Sequence, residues 1–166
     1  MSEERVCVYT VLLDDGEALN EQPLARASSL PFICLSDSPT LRSASWEWRH
    51  VERPLAMDAV RSQRDIKIRP HRYPPEFDAS INIDNSVVLD RPADALWAMH
   101  NRESGFTLAR HSGRETLLDE FVAVMRLGLD DGAKVAEQFD HPLLAELGVL
   151  AERAGVPAGV FNIVTG

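Results

Sequence analysis

Three groups of residues in this chain have the types and spacing to do chemistry. The first is Ser80-Ile81-Asn82-Ile83-Asp84-Asn85-Ser86, an apolar strand-like run that ends in a carboxylate. A carboxylate at the carboxyl end of a strand stands where α/β proteins bind their ligands. Oxygen donors at that edge hold Mg²⁺ or Mn²⁺ against a substrate diphosphate. The same residues also suit a strand followed by a polar turn, because Asp and Asn are good turn formers. The second group lies just upstream, where Arg64 and Lys67 are three residues apart in a segment with helical spacing and so share a face. Arg as a planar fork and Lys as a point charge suit a departing diphosphate. A solvated helix face is the alternative. The third group is His111-Ser112-Gly113-Arg114-Glu115-Thr116-Leu117-Leu118-Asp119-Glu120, with a His, an Arg and a carboxylate pair between a strand end and a helix start. Arg114 and Glu120 suit sugar hydroxyls and His111 suits a metal or phosphate; helix capping with a surface ion pair accounts for them equally.

Charge is unevenly distributed around these groups. The 166 residues carry 26 acids against 17 bases, a formal charge of −9. An acidic surface argues against free double-stranded nucleic acid as a partner, since phosphate binding needs a positive one. Within this acidic chain, Arg61, Arg64, Lys67, Arg69, His71 and Arg72 face a single acid, Asp65, in twelve residues. That run suits an anion site or a surface stripe. From Glu115 to Glu152 nine acids face only Arg126 and Lys134, the pattern of a solvated helical half. Cys7 and Cys34 sit in apolar runs, and two buried free thiols are expected rather than a disulfide. No Cys/His cluster has zinc spacing, and there is no nucleophile elbow or phosphate-cradling glycine loop.

The elements that must position these residues are legible in the apolar pattern. Arg5–Leu13 reads as a buried strand closed by the turn signal Asp14-Asp15-Gly16, and Pro31–Asp37 as a second. Ser45–Val51 alternates large apolar with polar residues and suits an edge strand. Ala56–Ile68 has helical spacing, and Ala79–Asp84 reads as a further strand. Asp90 is expected to cap a helix running to about Asn101, with Pro92 in its first turn. Phe106–Arg110 suits a strand. Leu117, Leu118, Phe121, Val122, Met125 and Leu129 recur at three- and four-residue spacing, an amphipathic helix. Another helix is expected over Ala133–Ala154, interrupted near His141-Pro142. Strands interleaved with helices predict an α/β sheet covered on both faces, in a single domain over 1–166. A composition of 45% apolar and 26% charged residues, with mean hydropathy −0.17, fits one compact globular domain. No apolar run approaches the ~20 residues that a membrane helix needs. The acidic Met1-Ser2-Glu3-Glu4 start does not read as a signal peptide, so a cytoplasmic location is expected.

Taken in order, these segments resemble a glycosyltransferase-like domain family with plant mucilage- and pollen-related members and bacterial capsule-associated or hypothetical ones. In that family an Arg-x-x-Lys precedes Pro-His-Arg/Lys-Tyr and a strand ending in Ile-Asp-Gly/Asn-Ser. Here these are Arg64 and Lys67, Pro70-His71-Arg72-Tyr73, and Ile83-Asp84-Asn85-Ser86. Val8-Tyr9-Thr10 and Phe32-Ile33-Cys34-Leu35-Ser36-Asp37 resemble the family's first and second strands. His111, Arg114 and Asp119-Glu120 match its His-Pro-x-Arg…Glu-Glu motif in spacing. The resemblance covers residues 5–140. Ser86 stands where the ordinary metal motif has its second Asp, Ser112 where the family has Pro, and Asn82 where an aromatic residue is frequent. A second, 16-residue stretch, Ala151–Gly166, resembles part of the aldehyde dehydrogenase cofactor domain, as if the chain were truncated or fused after about residue 150.

The resemblance implies a single GT-A-like three-layer α/β/α sandwich with a mostly parallel mixed sheet. It implies a nucleotide-sugar donor and a carbohydrate acceptor, with Mn²⁺ or Mg²⁺ as the cofactor. Thr10 and Asp37 would lie near the nucleotide; Arg64, Lys67, His111 and Arg114 would hold the diphosphate. Asp84 and Ser86 would stand at the metal, and Asp119 or Glu120 would serve as general base. A catalytically silent nucleotide- or sugar-binding domain, or an oligomerisation domain, of the same fold is the alternative expectation.

Overall fold

The computed structural model describes residues 4–14, 17–103, 105, 107, 117–129 and 131–139. Contacts divide the chain into two compact units, Met1–Met99 and His100–Gly166. The first unit is built on four parallel strands: β1 (Val6–Leu12), β2 (Phe32–Ser36), β3 (Glu47–His50) and β4 (Ala79–Asn82). They stand in the order β3-β2-β1-β4. All seven residues of β1 and all five of β2 are buried. This is why both read as unbroken apolar runs rather than alternating ones. β3 ends the described sheet beyond β2, the edge position expected for it, but its side chains are largely exposed rather than alternating, Trp48 included. The sheet is thus α/β and parallel throughout its described strands.

Alternation along β1 separates two apolar layers. Cys7, Tyr9, Val11 and Leu13 join Ile33, Leu35, Val51 and Ile66 on one face. Val8 and Leu12 join Phe32, Cys34, Trp46, Ile83 and Ala93 on the other. Cys7 and Cys34 are free, buried and on opposite faces of the sheet. The first face is covered by helix α1 (Ala59–Ile68), which inserts the fully buried Ile66. The helix starts at 59 rather than 56 because the Asp58 carboxylate accepts from the Arg61 N–H and caps it. Helix α2 (Ala93–Ala98) supplies the buried Ala93 to the second face.

Asp90 is not the cap of α2, contrary to expectation. Its carboxylate pairs with Arg91, and Pro92, with ψ 143°, is the residue that precedes the helix. Asp94 in the first turn instead accepts from Ser28 and Ser29, which ties α2 to the segment before β2. The helix closes at Ala98 rather than near Asn101. In the second unit, α3 (Leu117–Leu127) packs on α4 (Gly132–Phe139), whose first turn is capped by the Asp131 carboxylate. Gly128, at φ +62°, closes α3 in the left-handed conformation that glycine adopts at least cost. Of the strand expected over 106–110 only Thr107 is described, and it is not in a strand; the remainder of the second helix to 154 and the 151–166 stretch lie outside the described residues. Among the described residues no helix is long and apolar enough to cross a membrane.

Ile66 is the fully buried apolar side chain through which α1 enters the core. Ile66→Ala is expected to cost about 2–5 kcal/mol, lost burial plus a residual cavity. Urea unfolding checks this as a lowered midpoint at unchanged slope; an unchanged midpoint would show that α1 does not cover the sheet.

Candidate functional site

Strand order creates a position for a site. The chain steps outward from β1 to β2 to β3, then returns through α1 to place β4 on the far side of β1. In open parallel sheets, ligands bind outside the carboxyl ends of the strands where the order reverses, here between β1 and β4. Asp84 follows β4 by two residues and so stands at that edge. Lys67 reaches it from the last turn of α1, with Nζ 2.9 Å from Asp84 Oδ1. Ser86 Oγ donates to the other oxygen, Oδ2, at 2.7 Å. The Asp84 side chain is 48% exposed and that of Lys67 29%, so the pair is open to solvent on the ligand side.

Burial pushes the Asp84 carboxyl up, but the hydrogen bonds from Ser86 and Lys67, with the lysine charge, outweigh it and hold the group below the ordinary aspartate range. Asp84 is therefore a carboxylate at neutral pH. A carboxyl lowered in this way stabilises the fold above its unfolded value, and that stabilisation is lost as pH falls through its folded value.

Neither partner of this pair is placed by chance packing. The Lys67 carbonyl accepts from the hydroxyl of Tyr9, itself 1% exposed in the centre of β1, at 3.1 Å. Downstream of Asp84, the buried Asn85 donates to the Ala18 carbonyl at 3.0 Å, and its own carbonyl accepts from the Asn20 N–H. Asn20 Nδ2 donates to the Ser86 carbonyl, and Gln22 bonds the Val87 carbonyl and the Leu89 N–H. The segment after β1 and the segment after β4 are thus laced together by side-chain amides. In Asp84-Asn85-Ser86 the middle residue faces inward and holds the loop, while its neighbours form the exposed pair.

Arg64 lies one turn before Lys67 on α1. Its Nη1 is buried without a hydrogen-bond partner. Arg61 and Arg69 are paired on their own helix, with Asp58 and Asp65. A buried guanidinium N–H left without an acceptor is costly.

The other expected residues fall in different places. Asp37 follows β2 at the same edge of the sheet, separated from β4 by β1, so roughly 10 Å away at the usual strand spacing. Its carboxylate accepts from Arg53 and from the Asp14 N–H, which outweigh the effect of burial and keep it ionised. Asp14 reaches this contact at φ 87°, a conformation few residues other than glycine adopt. Thr10 is fully buried in β1 on the face opposite α1, its hydroxyl without a partner. It does not meet the Lys67–Asp84 pair. Asp119 is exposed on α3 and Glu120 lies beside it in sequence, both in the second unit. His111 and Arg114 lie outside the described residues. Sequence reasoning missed Arg53, Asn20 and Gln22, and read Asn85 only as a turn former; polar residues inside loop sequences carry no periodic signal that separates a buried bond from a solvated one.

Comparison with protein-family models, with curated proteins and with solved structures finds no match to this chain. The site stands on its own geometry. Among the described residues no three His, Cys, Asp or Glu side chains converge as a metal centre. The two oxygens of Asp84 accept from an ammonium and a hydroxyl. A divalent ion there would have to share this carboxylate with the positive charge of Lys67, a like-charge neighbour that disfavours Mg²⁺ or Mn²⁺.

The pair has a direct signature. Lys67→Met removes the charge and one hydrogen bond from Asp84, so its carboxyl midpoint is expected to rise toward the ordinary value. A carboxyl-carbon NMR titration reads this; an unchanged midpoint would mean that Lys67 does not hold Asp84.

Proposed function

We propose that the chain is a glycosyltransferase-like domain that takes a nucleotide-sugar donor at the carboxyl edge of β1 and β4 and passes the sugar to a carbohydrate acceptor. The resemblance in sequence supplies the reaction class, and a GT-A-like architecture is part of the same proposal. The observation that carries it is the meeting of Lys67 and Asp84 at the switch point, with the unsatisfied Arg64 one turn away. Two segments singled out separately in the sequence form one cluster, and that cluster offers what a diphosphate needs.

In such a transfer the sugar–phosphate bond breaks and negative charge grows on the departing diphosphate. Preorganised cations aimed at that charge lower the barrier. Lys67 supplies a point charge and Arg64 a planar fork of donors. Asp84 holds the lysine in place before the donor arrives, so little reorganisation accompanies the reaction. Asp37, fixed by Arg53 at the end of β2, is the candidate for the nucleoside end of the donor.

A second reading is a domain of the same fold that binds nucleotide without turnover. It is favoured by the saturation of both Asp84 oxygens, which leaves no carboxylate oxygen at the cluster without a partner. The two readings separate in one experiment: calorimetric binding of UDP and GDP, alongside release of nucleoside diphosphate from the corresponding nucleotide sugars. Arg64→Ala and Lys67→Met are each expected to weaken nucleotide binding about tenfold, the worth of one charge-assisted bond. Release that falls with binding in both variants supports the transferase; binding without release supports the second reading. Full binding and full release in both variants would overturn the site.

A further inference from the structure

The carboxylate that the sequence offers to a divalent ion already holds a cation. Lys67 Nζ sits 2.9 Å from Asp84 Oδ1, while the second oxygen accepts from Ser86. The lysine is anchored at its other end, where its carbonyl accepts from the buried Tyr9 hydroxyl. Its ammonium has three N–H donors, of which the Asp84 bond uses one, so the others remain for a ligand. Ser86, in the position where a second carboxylate would complete a metal pair, is neutral and spends its proton on Asp84. An incoming divalent ion would meet a carboxylate whose oxygens already accept from an ammonium and a hydroxyl, and would be repelled by the ammonium charge.

We infer that Lys67 is the resident cation of this site, and that it and Arg64 bind a nucleoside diphosphate without a divalent metal ion. This rests on the nucleotide-binding reading given above. Asp84 is then a positioning residue: it aims the ammonium and does not ligate an ion. Its negative charge subtracts from the attraction for phosphate, and in exchange the lysine is already in place when the anion arrives.

The test is calorimetric titration of the full chain with UDP and with GDP, in EDTA and in Mn²⁺. The inference expects the same affinity in both buffers for whichever nucleotide binds. In EDTA, Lys67→Met is expected to lose about tenfold, while Lys67→Arg, which keeps the charge and reports on folding, retains binding. Asp84→Asn is expected to keep most of its affinity in both buffers, because the carboxylate touches the lysine and not the ligand. Binding that appears only with Mn²⁺ and disappears in Asp84→Asn would overturn the inference and leave the nucleotide site standing. No binding of either nucleotide in either buffer would overturn the nucleotide reading itself, and the inference with it.

Discussion

Complete burial of β1 is the constraint from which the rest of the first unit follows. A strand buried on both faces must also satisfy its backbone donors and acceptors along both edges. β1 does so by pairing with β2 on one side and β4 on the other, both parallel. Parallel neighbours need crossovers, and crossovers place covering segments on the two faces. With β2 and β3 stacked to one side, β4 can pair with β1 only on the other, and the strand order reverses there. The switch position at the carboxyl ends of β1 and β4 is therefore a consequence of where the apolar residues lie, before any functional residue is considered.

The residues at that edge are held by polar groups that the core itself positions. Tyr9 belongs to the central strand, yet its hydroxyl fixes the end of α1 through the Lys67 carbonyl. Asn85 and Gln22 are buried polar side chains whose bonds run between the two segments that leave the sheet at this edge. Buried amides of this kind are costly when unpaired and rigidifying when satisfied. They turn a polar turn after β4 into a fixed platform for Asp84. The cluster is thus preorganised by the fold around one solvent-accessible ion pair, with the unsatisfied guanidinium N–H of Arg64 one turn back along α1.

β1 and β2 were legible because burial on both faces leaves a continuous apolar run, and α1 because its spacing is helical. Its first residue was not, since Asp58 and not the first apolar residue sets the start. Asp90 misled for the same local reason: a good capping residue before a proline, but paired with Arg91 while Pro92 precedes the helix. Lys67 and Asp84 were each visible as candidates through charge and strand-end position. Their contact was not, because it spans a crossover that only the strand order reveals. Ser86 was read as a departure from a metal pair, and the structure gives that departure a physical counterpart in the lysine seated on Asp84. Arg53 gave no signal, since a lone arginine in a loop has no pattern; its role emerges only from its place beside Asp37.

The central claim is that the reversal of strand order between β1 and β4 is where this chain binds an anion. The most direct measurement is a backbone and arginine side-chain NMR map of the protein as UDP is added. The account predicts that the largest shifts fall on Arg64 Nε, on Lys67, at Leu13–Asp14 after β1 and at Asp84–Ser86 after β4. Shifts that instead concentrate at the opposite end of the strands, around Arg5 and Asp78, or a map that does not change at all, would contradict it.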